Sequence, residues 1–321
     1  MWRPSIELLL LGLLSSCEGP FSALNPAGDK AQIISTIFWI LSGIALVIWL
    51  IFISLQFYIY KIRRGPHEKK KTQLFVIGGG AVFPLLLITI SIYFTLRPLP
   101  TLVAKAPAGS LSVRVSGLQW WWRVHYLVDG EEVELANEIW LPVNEPVQLY
   151  LESEDVIHSF WVPSLAGKMD TIPGRTTDLS FTPTKTGHYR GVCAEFCGTG
   201  HALMQLDVNV VERKVFDEWL ARQRTPVTLS GGRGEKAFLT SGCIACHTVR
   251  GISDIGKLGP DLTHVGSRYR IGGGILHNNK TSLLKWIDHT EKIKPEVKMP
   301  SFHMLPEEDK KHLSEWLEGL K

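Results

Sequence analysis

Two thiols, an imidazole and a thioether fall within twelve residues of this chain, in Cys193-Ala194-Glu195-Phe196-Cys197-Gly198-Thr199-Gly200-His201-Ala202-Leu203-Met204. Thiolate and thioether sulfur are soft donors that suit copper, and imidazole suits it too. Zinc would take a closed four-ligand set without methionine. A Cys193–Cys197 disulfide is the alternative in an oxidising compartment, but it leaves His201 and Met204 without a role. A second imidazole must come from elsewhere in the fold. His158, in Asp155-Val156-Ile157-His158-Ser159-Phe160-Trp161, is the candidate, although a histidine in a strand is more often structural than a ligand.

A second centre follows. Cys243-Ile244-Ala245-Cys246-His247 is the attachment signature of a c-type haem: both thiols form thioethers, and the adjacent imidazole reaches the iron. Lys298-Met299-Pro300 offers a methionine as the other axial ligand, which raises the potential. Met304 competes for that place. Leu283–His289 and Glu307–Leu320 are amphipathic, so they should pack as helices around a haem, with Pro306 and Glu307-Glu308-Asp309 starting the second. His264, His277, His289 and His303 are expected to be ordinary surface or packing residues.

The elements that must position these groups follow from the rest of the 321 residues. Ala31–Tyr60 and Thr72–Leu96 carry no charge, which a bilayer requires and a soluble fold does not. The basic segment from Lys61 to Lys71 between them belongs in the cytoplasm, so the chain after about residue 97 lies outside. Met1-Trp2-Arg3 and the apolar run Leu8–Leu14 form a signal peptide. Leu14-Ser15-Ser16-Cys17 also resembles a bacterial lipobox, which would lipidate Cys17; an ordinary signal peptide is the alternative. Leu111, Val113 and Val115, and again Val147, Leu149 and Leu151, alternate with small or polar residues, as β-strands with one buried face do. Prolines and Asp129-Gly130 punctuate them. A multi-domain membrane protein is expected: signal peptide 1–16, a transmembrane helical hairpin 31–96 (31–60, 72–96), an antiparallel β domain 105–212 and an all-α domain 230–321.

The net charge of +3 conceals a division. Residues 105–211 carry seven basic and thirteen acidic side chains, net −6, and residues 212–321 carry eighteen and fourteen, net +4. Nucleic acid is therefore a poor partner. The two blocks should attract one another across a flexible joint around 212–229, and salt should weaken that attraction.

The spacing C-x-E-x-C-x3-H-x2-M, the upstream D-V-x-H-S-F and the two preceding spans resemble the dinuclear copper A site of cytochrome c oxidase subunit II. With residues 230–321 resembling a class I cytochrome c, the chain is similar to the caa3-type of that family. The resemblance implies a cupredoxin-like β-barrel in which Cys193 and Cys197 bridge two coppers. His158 and His201 would each ligate one, and Met204 and the carbonyl of Glu195 would be weak ligands. It implies a magnesium ion on the Glu195 side chain at the border with subunit I, a solvated carboxylate being the alternative. Asp170 and Arg175 match a stretch facing subunit I. Gln119-Trp120-Trp121-Trp122 resembles the family's aromatic patch, with Trp120 taking in electrons at the surface; core packing is the alternative.

The implied partners are subunits I and III, cytochrome c or another external donor, and membrane lipids. The implied place is the bacterial inner membrane, multi-pass, with the copper and haem domains periplasmic or extracellular. The implied function is an oxidoreductase and translocase in which this chain passes electrons from haem c through copper A to subunit I, where oxygen is reduced and protons are pumped. One departure stands out: the family's glutamate early in the second span has no counterpart in Ile77-Gly78-Gly79-Gly80. The electron-receiving subunit of a copper-A nitric oxide reductase and a membrane-tethered copper chaperone are the rival readings.

Overall fold

The computed structural model describes residues 19–62, 65, 68–128 and 130–321. The expected signal peptide, Cys17, Arg63, Arg64 and Asp129 lie outside the described residues. The chain divides into a helical unit, Gln32–Ala104, and a second unit that gathers Lys105–Lys321 with the described residues before Gln32.

In the helical unit, α1 (Asp29–Phe57) continues through a π-helical segment, Tyr58–Ile62. After the basic loop come α2 (Lys69–Ile77), a π-helical turn at Gly78–Val82, α3 (Phe83–Leu96) and α4 (Leu99–Val103). The two continuous stretches have 34 and 35 residues. At 1.5 Å per residue each reaches about 50 Å, more than the roughly 30 Å of hydrocarbon to be crossed. Polar side chains within them are satisfied locally, as lipid demands: Thr36, Thr89 and Thr95 each donate 2.8 Å to the carbonyl one turn back. The glycines that stand where the family has its glutamate occupy the π-helical turn.

The second unit begins with a β-sandwich. Its strands are β1 (Leu111–Leu118), β2 (Trp121–Val128), β3 (Glu131–Ala136), β4 (Glu138–Pro142), β5 (Val147–Ser153), β6 (His158–Trp161), β7 (Met169–Thr171), β8 (Thr177–Phe181), β9 (Gly187–Cys193) and β10 (Gln205–Val211). One sheet has the order β3-β2-β1-β5-β8 and the other β4-β10-β9-β6-β7. The domain is not wholly antiparallel, because β1 runs parallel to β5 and β4 to β10. The long crossovers that join those pairs pass between the sheets, and alternation within a strand cannot reveal them. The alternating Val113, Val115, Val147, Leu149 and Leu151 all turn inward and are fully buried with Trp122, Tyr126 and Phe160. Each such side chain stabilises the fold by roughly 1.5–3 kcal/mol.

The connector is ordered. Helix α5 (Arg213–Arg224) buries Phe216, Trp219 and Leu220 in the sandwich core, with the Trp219 ring stacked 5.1 Å from Trp140. Beyond it, Val227 N–H donates to the Arg250 carbonyl (2.8 Å) and His264 bonds the Thr225 carbonyl (2.9 Å), so the expected flexible joint is tied down on both sides.

The C-terminal part has α6 (Arg233–Thr240), α7 (Lys280–Asp288), the single turn α8 (Thr290–Ile293) and α9 (Glu307–Gly319). Gly234 lets α6 cross α9 closely; a Cβ there would lie 2.5 Å from Cβ of Trp316. The domain is helical except for a two-residue ribbon, Arg270–Ile271 with Leu276–His277. Gly272, Gly273 and Gly274 turn it, all with positive φ, where other residues are strained.

Candidate functional site

The copper candidates converge. Cys193 ends β9 and Cys197 lies four residues on, with sulfurs 3.8 Å apart, far beyond a disulfide bond. Nδ1 of His158 lies 4.0 Å from the Cys193 sulfur, and Nδ1 of His201 lies 3.6 Å from the Cys197 sulfur. The Met204 sulfur lies 4.0 Å from Cys197, and the Glu195 carbonyl oxygen 3.2 Å from Cys193. Six donors from β6, the loop after β9 and the residue before β10 thus face one small space, and this donor set fits a pair of coppers. His158, Cys193, Cys197 and Met204 are buried.

The surroundings fix these atoms. Asp155 Oδ1 lies 2.8 Å from His158 Nε2, which leaves Nδ1 turned towards the Cys193 sulfur and available to a metal. The second oxygen of Asp155 accepts from the Gln119 amide at 2.7 Å. Burial alone would raise the Asp155 pKa, but the bonds from His158 and two backbone amides outweigh it and hold the carboxylate ionised. Burial opposes a charge on His158 too, yet its bonds to Cys193 and Asp155 raise its pKa. The contact between the sulfurs depresses the Cys193 pKa and raises that of Cys197, so the first of the two thiols is the readier to ionise. Gly117 makes room for His158, since a Cβ there would lie 2.7 Å from its ring. Gly117 is not marked by spacing, because it meets His158 from the other sheet, whereas Asp155 is a local partner, three residues before His158 in the D-V-x-H-S-F segment.

Trp120 is not at the surface. It is 4% exposed, its Nε1 donates to the Cys197 carbonyl at 3.0 Å, and its ring covers Gly200. Its carbonyl accepts from Lys294 of the C-terminal domain. Trp122 is core, edge-on to Phe160 and His158. The Glu195 side chain is half exposed and lies 3.7 Å from Lys168, which also approaches Asp170 at 3.9 Å.

The haem candidates Cys243 and Cys246 flank one tight turn as free thiols. The His247 amide donates to the Cys243 carbonyl (3.0 Å), and its Nδ1 bonds the Pro260 carbonyl (2.8 Å), which leaves Nε2 for iron. Burial lowers the His247 pKa and keeps the ring neutral, as a ligand must be. Gly259 lies against that ring; a Cβ would meet its Nδ1 at 2.8 Å. These features fit a covalent haem. Met299 is half-buried, its carbonyl held by Thr290 Oγ1 at 2.9 Å, whereas Met304 is 67% exposed.

The two domains meet through defined contacts rather than a diffuse field. Asp207, 1% exposed, lies 2.7 Å from Arg270. The Tyr269 amide donates to Glu138 (2.9 Å), and the Tyr269 ring stacks on His188 at 4.8 Å. Burial raises the Glu138 pKa against the bonds it accepts.

A sandwich with a two-sulfur metal loop, joined to a small haem-binding helical domain and to two membrane-length helices, defines a membrane-anchored electron-transfer protein. Comparison with known proteins specifies it. Residues 127–211 match the family model for the periplasmic domain of cytochrome c oxidase subunit II, and residues 232–321 match the cytochrome c model. A cytochrome c oxidase subunit 2 of Alkalihalophilus pseudofirmus is 31% identical, covering 100% of this chain and 98% of that one. Those of Bacillus subtilis and Bacillus sp. (strain PS3) are 28% and 30% identical with the same coverage. The solved periplasmic domain of subunit II of cytochrome oxidase of Bradyrhizobium japonicum is 34% identical, covering 38% of this chain and 96% of its own, with a TM-score of 0.35. The chain belongs to the cytochrome c oxidase subunit 2 family. It is the electron-receiving subunit of an oxidase, associated with subunit I, and its two domains imply copper A and haem c. The chaperone and nitric oxide reductase readings give way to this one, because the full-length relatives are oxidase subunits.

Proposed function

We propose that Cys193, Cys197, His158, His201, Met204 and the Glu195 carbonyl hold the copper pair, that Cys243, Cys246, His247 and Met299 hold the haem, and that electrons pass from haem to copper within this chain. When bound, the two groups supply reversible one-electron chemistry. The residues supply constancy of geometry. Asp155 and Gly117 fix the orientation of His158, the Pro260 carbonyl fixes His247, and burial of both sulfurs keeps water from the pair. Trp120 bonds the Cys197 carbonyl and is the route by which the electron reaches copper, received from the fused domain rather than from a soluble protein. The convergence of six donors, each within 4.0 Å of a thiol sulfur, carries this reading.

The finer features belong to the same proposal. Two spans give a multi-pass anchor in the bacterial inner membrane, with lipids around them and both soluble domains outside. The leader is a signal peptide, with Cys17 lipidated. The Glu195 carboxylate would reach a magnesium ion at the subunit I border, and Asp170 and Arg175 lie in a stretch that would face subunit I. An external cytochrome c or another donor reduces the haem, subunit III completes the assembly, and electron flow drives proton translocation. Metal analysis and optical spectra of the oxidase purified from membranes test the core of it. Two coppers and one haem c per chain are expected, with a mixed-valence band that Cys197→Ser abolishes while the haem remains. A single copper, or a cystine between Cys193 and Cys197, would overturn it.

A further inference from the structure

The segment 290–301 carries the haem-ligand candidate Met299 at one end and is fastened there from within its own domain. Thr290 Oγ1 donates to the Met299 carbonyl at 2.9 Å and lies 3.1 Å from the Ser301 hydroxyl, which in turn bonds Glu291. The middle of the same segment reaches across to the copper domain. Lys294 is 1% exposed. Its ammonium donates to the Trp120 carbonyl at 2.5 Å, the Leu203 carbonyl at 2.9 Å and the Gly272 carbonyl at 3.1 Å. Leu203 precedes the copper-ligand candidate Met204, and Trp120 bonds the carbonyl of Cys197. Further along the segment, Glu296 accepts from Thr199 Oγ1 (2.9 Å) and Lys298 lies 3.9 Å from Asp155, the partner of His158. The glycine turn completes the seat. The Gln205 amide donates to the Gly273 carbonyl at 3.0 Å, and a Cβ on Gly273 would lie 2.9 Å from the Trp120 carbonyl.

A lysine buried so completely is costly unless its donors are met. Here all three N–H groups have acceptors, two of them on the other domain. The glycine turn leaves room for it, since a Cβ on Gly273 would lie 2.3 Å from its ammonium nitrogen. Lys294 is not itself among the ligand candidates for copper or haem.

We infer that Lys294 is a positioning residue for the internal electron transfer: it locks the methionine loop of the haem domain onto the Trp120–Leu203 face of the copper domain. This rests on the functional reading above. The step it serves moves one electron from iron, which is oxidised, to the copper pair, which is reduced, with no bond made or broken in the chain. Because transfer rate falls steeply with separation and disorder of the partners, release of the lock should slow the step while leaving each centre as it was.

The test uses the intact oxidase with Lys294→Met, which keeps the stem and removes the three donors, and Lys294→Arg, whose fork is too wide for the seat. Three readouts are compared with the parent: the rate at which copper is reduced after flash reduction of the haem, the potentials and optical spectra of both centres, and amide hydrogen exchange of residues 198–206 and 270–276. Both variants should slow the internal step at least tenfold and speed exchange in both segments at least tenfold, with spectra and potentials unchanged. An unchanged internal rate, or unchanged exchange, overturns the assignment. An altered copper spectrum overturns it too, because Lys294 would then serve the copper loop itself. A parent preparation lacking the copper pair or the haem would instead overturn the functional reading, so the two failures are distinguishable.

Discussion

The two external domains solve the same problem, holding a redox centre still, in opposite ways. Among the described residues the sandwich buries a cluster of 29 apolar side chains and the helical domain one of ten, so only the former has a core sufficient without its cofactor. In the sandwich the metal donors are an extension of the core, with Met204 fully buried and His158 packed against Trp122. In the helical domain Cys243, Cys246 and Met299 are only half-buried, as befits walls raised around a group that completes them. A metal pair can be added to a finished fold, whereas a haem is part of the interior it occupies.

The sharpest way to break this contrast is to remove each cofactor in turn. Cys243→Ala with Cys246→Ala should abolish the separate unfolding transition of residues 230–321 while the copper band survives. Stripping copper should move the sandwich's transition by only a few degrees. Differential scanning calorimetry reads both, and a haem-free domain that still melted cooperatively would refute the comparison.

Next in size is Trp219→Ala, which empties the space between α5 and Trp140. It should cost the sandwich about 3–5 kcal/mol in denaturant unfolding and leave the haem spectrum alone, since the connector belongs to the sandwich side. Asp155→Asn sharpens the copper half. Loss of the charged partner of His158 should weaken copper binding about 10–100-fold, measured by competition with a chelator, and leave haem content unchanged.

The smallest effect is one of pH. Burial works against the Glu134 carboxylate, but the bond from His125, the nearby charge of Arg123 and the bond from the Asp261 amide of the haem domain outweigh it and lower its pKa. A carboxylate held low in the fold contributes stability that is complete above its unfolded value of about 4.3 and fades as pH falls through the folded value. The contribution of Glu134 should therefore be level above about pH 5 and decline below it, and Glu134→Gln should make the acid limb of the unfolding midpoint shallower.

Much of this was legible in the residues. The C-x-x-C-H signature and the C-x-E-x-C-x3-H-x2-M loop name their donors because the ligands are close in sequence, and the uncharged spans declare themselves by length. His158 could be proposed only as a candidate, since what marks it as a partner of Cys193 is the pairing of β6 with β9. Net charges of opposite sign suggested attraction between the domains, but not that it would be met by single buried contacts such as Arg270–Asp207. The expectation of an exposed Trp120 failed because its ring folds under the metal loop, against Gly198 and Gly200, and joins the sandwich core.

By itself, then, the sequence determined the chemistry: which soft atoms exist, which lie within a turn of one another, and which stretches only lipid can solvate. Those are local properties, set by residue type and by spacing along a few turns of backbone. Tertiary structure alone decided which distant groups meet. It set Gly117 beneath the His158 ring and Lys294 across from Trp120, 174 residues away. Such pairings depend on strand order and on the seating of one domain against another, and no periodicity records them.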